Sequence, residues 1–446
     1  KHAMGPEPVA ARSFVSGQSW ADGNGHGCIA PTDEVYTSNC GLQAIETFFN
    51  RMSGVTHFLP DGSIIKDISR YNIFTFSLDT SGDVPKQSRN RITHVHKLQH
   101  DGDVFEVSVN GEKLTLTPWH PVYVEVSSTG KKRRIKKKRA DELSIGDRIC
   151  LMPKSSESIS QDILQIPISS NSFVPLDENL AMWIGLLLTD GHLAKRQRTV
   201  QFSSANDKHV DLFVSLTEKI FGVTPAIYNN KTAKSVRCSG DPWVVAAAFM
   251  PIGSKSKSVE LPELIAKSPR PVIESFFAGC IEGDGCVQDR RFRLTTGSEK
   301  FASKVCRLLS SLGIRASRSS QSGEKSKFGG DRWWIVRIGN WEELAAKLRV
   351  KSISQGKAKG NLSASITGIV VKAYKGNLYD FTVEDSHNYI ANGLVVSNTH
   401  CAGSVLCRRD ASGNSIGMAP DAELIIGKVL SNEGSGASSG IAAGIR

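Results

Sequence analysis

Two bonds in this 446-residue chain each lie beside a side chain that can attack them. The thiol of Cys28 neighbours the carbonyl carbon of Gly27, and its thiolate can convert that amide into a thioester. Glycine at position 27 leaves the carbonyl sterically open. Farther along, the side-chain amide of Asn398 can cyclise onto its own carbonyl and release Thr399, whose hydroxyl can accept an acyl group. We call the Gly27–Cys28 and Asn398–Thr399 bonds the first and second seams.

An amide resists attack unless its surroundings twist or polarise it and protonate the departing nitrogen. The segment Thr117-Pro118-Trp119-His120 offers a hydroxyl and an imidazole at the end of a predicted strand. An imidazole titrates near neutral pH, so it can give or take a proton at a reacting bond. Thr117 and His120 are therefore candidates for activating the first seam.

The sequence outside the seams reads as one protein whose middle is interrupted. Residues 22–27 are DGNGHG and residues 399–403 are THCAG. Joined, they resemble the histidine motif of subtilisin-like serine proteases, and residues 417–445 continue the resemblance. The resemblance implies that His26 is a general base. The aspartate and serine motifs of that family are not found here, so we expect partial α/β flanks, residues 1–27 and 399–446, that cannot hydrolyse peptides alone.

The segment between the seams resembles an intein along its whole length. CIAPTDEV at its start is similar to the N-terminal splicing motif of that family, and GEKLTLTPWHPV is similar to the Thr-x-x-His motif. NLYDFTVEDSHNYIANGLVVSN is similar to the paired C-terminal motifs. The resemblance implies that Cys28 is the first nucleophile and that Thr117 and His120 activate the first seam. It further implies that Asp380 and His387 assist acyl transfer and asparagine cyclisation.

At the second seam the same resemblance implies that Asn398 cyclises and that Thr399 is the second nucleophile. Inteins commonly carry histidine just before the final asparagine, and this chain has Ser397 instead. Protonation of the departing amine must then come from elsewhere, and His387 is the obvious candidate.

A repeat inside the segment points to a second chemistry. AMWIGLLLTDGHL (181–193) parallels FAGCIEGDGCV (277–287), and each copy has a glycine five residues before an Asp-Gly pair. The copies resemble the two halves of a LAGLIDADG homing endonuclease, an α/β domain of pseudo-two-fold αββαββα type. The resemblance implies that Asp190 and Asp284 meet at the ends of two helices and hold a divalent cation, expected to be Mg²⁺. It also implies a monomer that binds double-stranded DNA of the uninterrupted host gene.

The distribution of charge agrees with a polyanionic partner. The net charge is +11, while the acidic and basic side chains of residues 1–27 and of residues 399–446 each cancel. The whole excess therefore lies between the seams, and residues 160–355 contain 27 Lys and Arg against 19 Asp and Glu. A surplus confined to one segment indicates that this segment meets a polyanion such as DNA.

Several other patterns carry weaker expectations. The longest apolar run, Trp183 to Leu188, is far short of the roughly 18–20 residues that span a bilayer, so we predict no membrane contact. Nine cysteines without paired CxxC units argue against a structural zinc site. Three histidines, His94, His96 and His100, are spaced like metal ligands but are expected in an exposed loop. The basic run 131–140 is expected to be a solvated hairpin or loop, with DNA contact left open.

The order of predicted elements shows how these residues are positioned. Alternating strand-like segments precede residue 150, helical patterns follow from about residue 175, and strand-like segments return before the second seam. We therefore expect a multidomain chain. Residues 28–160 and 359–398 form a mostly-β Hint splicing domain, and residues 161–358 form an inserted endonuclease domain.

The main expectation is autocatalytic splicing, which excises residues 28–398 and joins Gly27 to Thr399 through thioester, ester and succinimide steps. Two alternatives stay open. One is a Hint domain that cleaves without ligation, which Ser397 favours, and the other is a homing endonuclease whose splicing is impaired.

Overall fold

The computed structural model describes residues 27–398, apart from gaps at 60–61, 83, 128–132, 156, 161, 170, 254–255, 289–290, 323–331, 340 and 352–362. His26, Thr399 and the rest of both flanks lie outside the described residues. Within the described ranges, no helix combines the length and the apolar character that a membrane crossing requires. The seven cysteines located there are free thiols.

The described strands pair in antiparallel fashion throughout. They are β1 (Glu34–Thr37), β2 (Gly41–Ala44), β3 (Val55–Phe58), β4 (Ile64–Asp67), β5 (Ile73–Asp79), β6 (Lys86–Val109), β7 (Glu112–Leu116), β8 (Pro121–Ser127), β9 (Arg133–Arg139), β10 (Arg148–Cys150), β11 (Gln165–Ser169), β12 (Ser172–Pro175), β13 (Gly191–Ala194), β14 (Thr199–Ser204), β15 (Ala226–Asn229), β16 (Lys234–Ser239), β17 (Cys286–Gln288), β18 (Arg291–Thr296), β19 (Ala316–Gln321), β20 (Trp333–Ile338), β21 (Ser363–Val383), β22 (Asn388–Ala391) and β23 (Leu394–Ser397).

All of the described α-helices except the first lie between residues 178 and 347. The described α-helices are α1 (Ile45–Arg51), α2 (Glu178–Asp190), α3 (Asp207–Phe221), α4 (Asp241–Ala247), α5 (Glu263–Lys267), α6 (Arg270–Glu282), α7 (Glu299–Ser311) and α8 (Glu342–Lys347).

A large sheet of thirteen strands carries both ends of the described chain. Its main path runs β2-β1-β22-β23-β8-β10-β21-β6-β4-β3, with β5 and β7 beside β6 and β9 beside β8. The long strands β6 and β21 pair from Ile366 opposite Val109 to Val383 opposite Ile92. The Asn110-Gly111 turn between β6 and β7 has φ of 55° and 86°, which is the turn that Asn-Gly favours between hairpin strands.

One expectation about this region needs revision. His94, His96 and His100 lie on β6 rather than in an exposed loop, because neighbouring strands pair along this part of β6. The described end of the basic run, Arg133–Arg139, forms β9 and pairs with the preceding strand β8 in antiparallel register, which agrees with the hairpin that was expected there.

The helical part contains two successive units with the same element order. The first is α2-β13-β14-α3-β15-β16-α4 and the second is α6-β17-β18-α7-β19-β20-α8. Each unit has its own four-stranded sheet, ordered β13-β14-β16-β15 and β17-β18-β20-β19. The internal sequence repeat predicts this order.

The helices α2 and α6 pack directly against each other through glycines. A Cβ atom on Gly185 would lie 3.0 Å from the Cα atom of Gly279, and a Cβ on Gly279 would lie equally close to Gly185. Residues 180–188 of α2, which are apolar on every face, are buried, and so is nearly all of α6. Side chains larger than hydrogen at these two positions would push the helices apart.

One hydrophobic cluster extends from these helices into the large sheet. Tyr36 on β1, Phe76 on β5, and Ile390 and Val395 on the β22–β23 hairpin are buried in the same cluster as the helical residues. The helical part and the large sheet therefore share a core.

Candidate functional site

The first seam is held between two strands of the large sheet. Ile29 pairs with Leu116 at the end of β7 and with Tyr379 on β21. The Ile29 N–H donates to the Tyr379 carbonyl at 2.9 Å, and the Tyr379 N–H donates to the Ile29 carbonyl at 3.0 Å. The preceding residue, Cys28, is consequently buried beside the residues that follow Leu116 and Tyr379.

The residue that follows Leu116 is Thr117, and it contacts both the nitrogen and the carbonyl of Cys28. The Cys28 N–H donates to the Thr117 hydroxyl oxygen at 3.0 Å. In return, the Thr117 N–H donates to the Cys28 carbonyl at 3.1 Å. Because the Cys28 nitrogen is the leaving group of any attack on Gly27, Thr117 contacts the atom whose protonation must change.

The residue that follows Tyr379 is Asp380, which is buried near the Cys28 thiol. Burial raises the pKa of Cys28 well above its ordinary value, and the negative charge of Asp380 raises it further. The same two causes raise the pKa of the Tyr389 phenol. The thiol is therefore protonated at neutral pH, so it needs a base before it can attack.

His120 lies between the seams and is fully buried. Burial lowers the pKa of His120 to about 3, and this effect is partly offset by the main chain of Cys28 and of Ser397, which lies against the ring. Neither ring nitrogen has a hydrogen bond of normal geometry to a described residue. A neutral imidazole thus lies close to both ends of the segment.

Strand pairing explains why the second seam reaches this histidine. Val396 on β23 pairs with Val122 on β8 in antiparallel register. Continuing this register by two positions places Asn398 opposite His120. The two seams, far apart in sequence, therefore meet at one point of the large sheet.

The second seam is held chiefly by the main chain of His387, which has a positive φ of 49°. The His387 carbonyl accepts from the Asn398 N–H at 3.0 Å. The Asn398 side-chain amide is oriented so that both of its polar atoms form hydrogen bonds. Nδ2 donates to the His387 carbonyl at 2.6 Å, and Oδ1 accepts from the Val383 N–H at 2.7 Å. Sequence reasoning chose the ring of His387, whereas these contacts are made by its carbonyl.

Ser397 has a contact that the sequence does not reveal. Its hydroxyl lies 3.3 Å from the Asn398 carbonyl oxygen and 3.3 Å from the His387 carbonyl oxygen. The Asn398 carbonyl belongs to the second seam, so a hydroxyl donor points at the oxygen on which charge would develop. The only signal in the sequence was the departure from the usual histidine.

A second set of predicted residues meets at the ends of α2 and α6. Asp190 is the last residue of α2, and Asp284 lies two residues beyond α6. Partial burial and the neighbouring Asp284 carboxylate raise the pKa of Asp190 to about 6. The pKa of Asp284 is also raised, mainly by partial burial. In the described part of the chain, no group of three or more His, Cys, Asp and Glu side chains forms a metal-binding cluster.

Lys351 lies beside this acidic pair, and sequence reasoning missed it. Its ammonium group donates to the main-chain carbonyls of residues 281, 283 and 285 at 2.7, 3.0 and 2.8 Å. Its positive charge counteracts the rise in pKa of both Asp190 and Asp284. The buried carboxylate of Glu282 accepts from the N–H groups of residues 349–351 and so fixes this segment. A contact between residues so far apart in sequence leaves no local motif.

Comparisons with curated proteins extend these observations. The chain is 25% identical over 237 residues to the replication factor C small subunit of Thermococcus kodakarensis, covering 52% of this chain and 24% of that protein. It is 26% identical over 257 residues to a DNA polymerase of Thermococcus hydrothermalis, covering 50% of this chain and 15% of the polymerase. The chain thus spans a quarter or less of the length of these relatives.

Among solved structures, the chain is similar to the KlbA intein precursor from Methanococcus jannaschii. The identity is 25% and the TM-score 0.24, with 29% of this chain and 68% of that chain covered. It is also similar to mesophilic variants of the homing endonuclease I-DmoI, with 15% identity and a TM-score of 0.30, covering 39% and 96%.

A family model described as the intein splicing domain matches residues 62–398. This match covers well over half of the chain and includes Thr117, His120 and Asn398. The chain belongs to the intein splicing domain family.

Proposed function

We propose that residues 28–398 excise themselves and join Gly27 to Thr399. The observation that carries this proposal is the position of His120, whose buried ring lies against the main chain of both Cys28 and Ser397. Cleavage at both seams can be coupled only where both seams are close together.

In the first step the Cys28 sulfur attacks the Gly27 carbonyl carbon. A carbon–sulfur bond forms, the bond to the Cys28 nitrogen breaks, and the net change moves one proton from sulfur to nitrogen. Asp380 takes the thiol proton, because its carboxylate lies near a thiol that is otherwise protonated. Thr117 holds the departing nitrogen at 3.0 Å. His120, neutral with a pKa of about 3, contributes an uncharged polar ring at the bond.

Replacing Asp380 by asparagine is expected to slow thioester formation at pH 7 by about a hundredfold, because the thiol loses its base. Burial, the larger cause of the raised thiol pKa, remains in the variant. The fraction of thiolate, and hence the rate, should then increase about tenfold per pH unit from pH 7 to 9. Thiol-induced release of residues 1–27 in an Asn398→Ala background measures this rate.

The exposed Asp103 on β6 supplies the matched control, since Asp103→Asn removes an equal charge from a solvent-exposed side chain, whereas Asp380 is buried. The parent and this control should depend less steeply on pH than Asp380→Asn. Equal rates of thioester formation at pH 7 in the parent, Asp380→Asn and Asp103→Asn would show that Asp380 is not the base in the first step.

In the second step the Thr399 hydroxyl attacks the thioester, so that a carbon–oxygen bond replaces the carbon–sulfur bond and the hydroxyl proton passes to the Cys28 sulfur. The Asn398 Nδ2 then attacks its own carbonyl carbon, the bond to Thr399 breaks, and one amide proton passes to the released amine. The ester finally rearranges to an amide. The His387 carbonyl supports cyclisation by accepting a hydrogen bond from Nδ2 at 2.6 Å.

Ser397 supports the same cyclisation at the oxygen. Ser397→Ala is expected to slow cleavage at the second seam about ten- to a hundredfold, because a hydroxyl donor to the developing oxyanion is lost. The rate should be measured in a Cys28→Ala background, where the first seam cannot react through sulfur. Ser397→Thr, which retains the hydroxyl, is the matched control. An unchanged rate in Ser397→Ala would show that the hydroxyl has no part in cleavage.

Intact-mass measurement of the freshly expressed chain tests the whole proposal. Splicing yields residues 28–398 as one product and residues 1–27 joined to 399–446 as the other. Separate flanks without a joined product would support a Hint domain that only cleaves. An intact chain that cuts DNA would support a nuclease with impaired splicing.

The joined flanks form the sequence that resembles a subtilisin-like serine endopeptidase, and we assign the host protein to that class. His26 then lies one residue before the first seam. Excision would restore the sequence around this histidine.

Residues 161–358 are assigned as a LAGLIDADG-type endonuclease that cuts double-stranded DNA. Its two four-stranded sheets bury apolar side chains on one face and expose arginines on the other, namely Arg237, Arg291, Arg293 and Arg337. Exposed guanidinium groups on paired sheets suit a phosphate backbone.

The acidic pair fits a hard divalent cation such as Mg²⁺. Two carboxylates with raised pKa values repel each other, and Mg²⁺ is commonly held by one or two carboxylates together with water and substrate phosphates. Asp190 and Asp284 would hold the ion, which supplies an activated water and charge neutralisation at the phosphodiester. Lys351 keeps the Asp284 turn in place through its three carbonyl contacts.

A further inference from the structure

A buried carboxylate on the large sheet is bound almost entirely by the inserted helical part. Glu112, at the start of β7, accepts from the Ser303 hydroxyl at 2.8 Å and from Nε of Arg307 at 2.8 Å. Nε of Arg318 on β19 donates to the other carboxylate oxygen at 2.5 Å. The Glu112 side chain is only 5% exposed, so these charge-assisted contacts are shielded from solvent.

Arg307 on α7 reaches a second strand of the large sheet as well. Its Nη1 donates to Glu34 Oε2 on β1 at 2.8 Å. The Glu34 N–H donates to Oδ1 of Asn392 at 2.7 Å, and the Asn392 N–H donates back to the Glu34 carbonyl at 2.8 Å. One guanidinium therefore connects β7 with the turn between β22 and β23.

The turn itself is fixed from both sides. Nδ2 of Asn392 donates to Asp33 Oδ1 and to the Lys113 carbonyl, each at 2.7 Å. The next residue, Gly393, has a φ of 79° and faces α7, where an added Cβ would lie 2.6 Å from Cβ of Ser310. The hairpin β22–β23 consequently rests on α7 and cannot shift independently of it.

The two elements that Arg307 connects lead directly to the two seams. The strand β7 ends one residue before Thr117, and β23 ends one residue before Asn398. A displacement of one element relative to the other would separate these residues across His120. Reactions that depend on near-attack geometry are sensitive to shifts of this kind.

We propose that Arg307 is a positioning residue for splicing, contributed by the inserted helical part, which sets the relative position of β7 and the β22–β23 hairpin. The role rests on the proposed splicing function. This role would make the inserted helical part contribute to the geometry of the splicing site.

Arg307→Lys tests the role, because lysine retains the charge but cannot present the planar fork that reaches both carboxylates. We expect the rate of joined-product formation to fall about ten- to a hundredfold. Lys304→Ala on the same helix is the matched control. Lys304 contacts Glu260 at 3.5 Å, inside the helical part, so its loss should change the rate less than about twofold.

A second variant covers the case in which Arg307→Lys fails to fold. Glu34→Gln leaves α7 intact and removes only the charge that Nη1 contacts, and it should slow joining in the same direction. In the double variant the two effects on the joining rate should be less than additive, while the midpoint of thermal unfolding stays near that of the single variants.

Parental joining rates in both Arg307→Lys and Glu34→Gln would overturn the proposal, as would an equal loss in Lys304→Ala. If the parent chain forms no joined product, the splicing function itself fails, and this outcome is distinct from parental rates in the variants.

Discussion

A chain carrying Cys28→Ala is expected to form no joined product, while slow cleavage at the second seam continues. The Gly27 carbonyl loses the only nucleophile that is adjacent in sequence, so thioester formation should fall by at least about a thousandfold. Asn398 keeps its contacts with His387 and Val383, because none of them involves the Cys28 side chain. Intact-mass analysis over a time course distinguishes the two cleavages.

Cys28→Ser is the matched comparison for this variant. A hydroxyl of similar size keeps a weaker nucleophile at the same position, so joining should be slow but measurable. Joined product from Cys28→Ala at the parental rate would show that the sulfur is not the first nucleophile, and the proposed mechanism would have to be abandoned.

The second large effect concerns DNA cleavage. Asp190→Asn is expected to reduce cleavage of a duplex encoding the uninterrupted host site by about a thousandfold, because one of two carboxylates that would hold the cation is lost. Joining should remain close to the parental rate, since Asp190 lies at the end of α2 and the seams lie on the large sheet. Gel analysis of the duplex and of the protein from one preparation measures both.

Asp211→Asn provides the control for charge. Asp211 is an exposed residue of α3, and its replacement should leave DNA cleavage within about twofold of the parent. Full cleavage activity in Asp190→Asn would contradict the assignment of the acidic pair.

Local patterns in the sequence anticipated the parts of the fold that depend on neighbouring residues. The pair Asn110-Gly111 favours a hairpin turn, because few other pairs adopt positive φ twice in succession. The repeat places Gly185 and Gly279 at equivalent positions before an aspartate, and glycine permits the close helix packing that the structure shows there. A turn preference and an internal repeat are both properties of the local sequence, so they can be recognised from one sequence alone.

Contacts between distant segments could not be predicted in this way. The histidines of β6 were expected in a loop because their spacing says nothing about the strands that pair beside them. Lys351 and Arg307 are ordinary cations in the sequence, and their importance arises from buried partners found on other elements. The hydroxyl of Ser397 gained significance only when its distance to the Asn398 carbonyl was known.

The hydrophobic cluster shared by the helices and the large sheet bears on any attempt to engineer a smaller version of this protein. Deleting residues 161–358 would remove the helical side of this cluster and expose the side chains of Tyr36, Phe76, Ile390 and Val395 to solvent. Each of these four is at most 1% exposed in the whole protein. An exposed hydrophobic patch of this kind promotes aggregation. A miniaturised variant would therefore need polar residues grafted at these four positions, chosen so that the β22–β23 hairpin keeps its place.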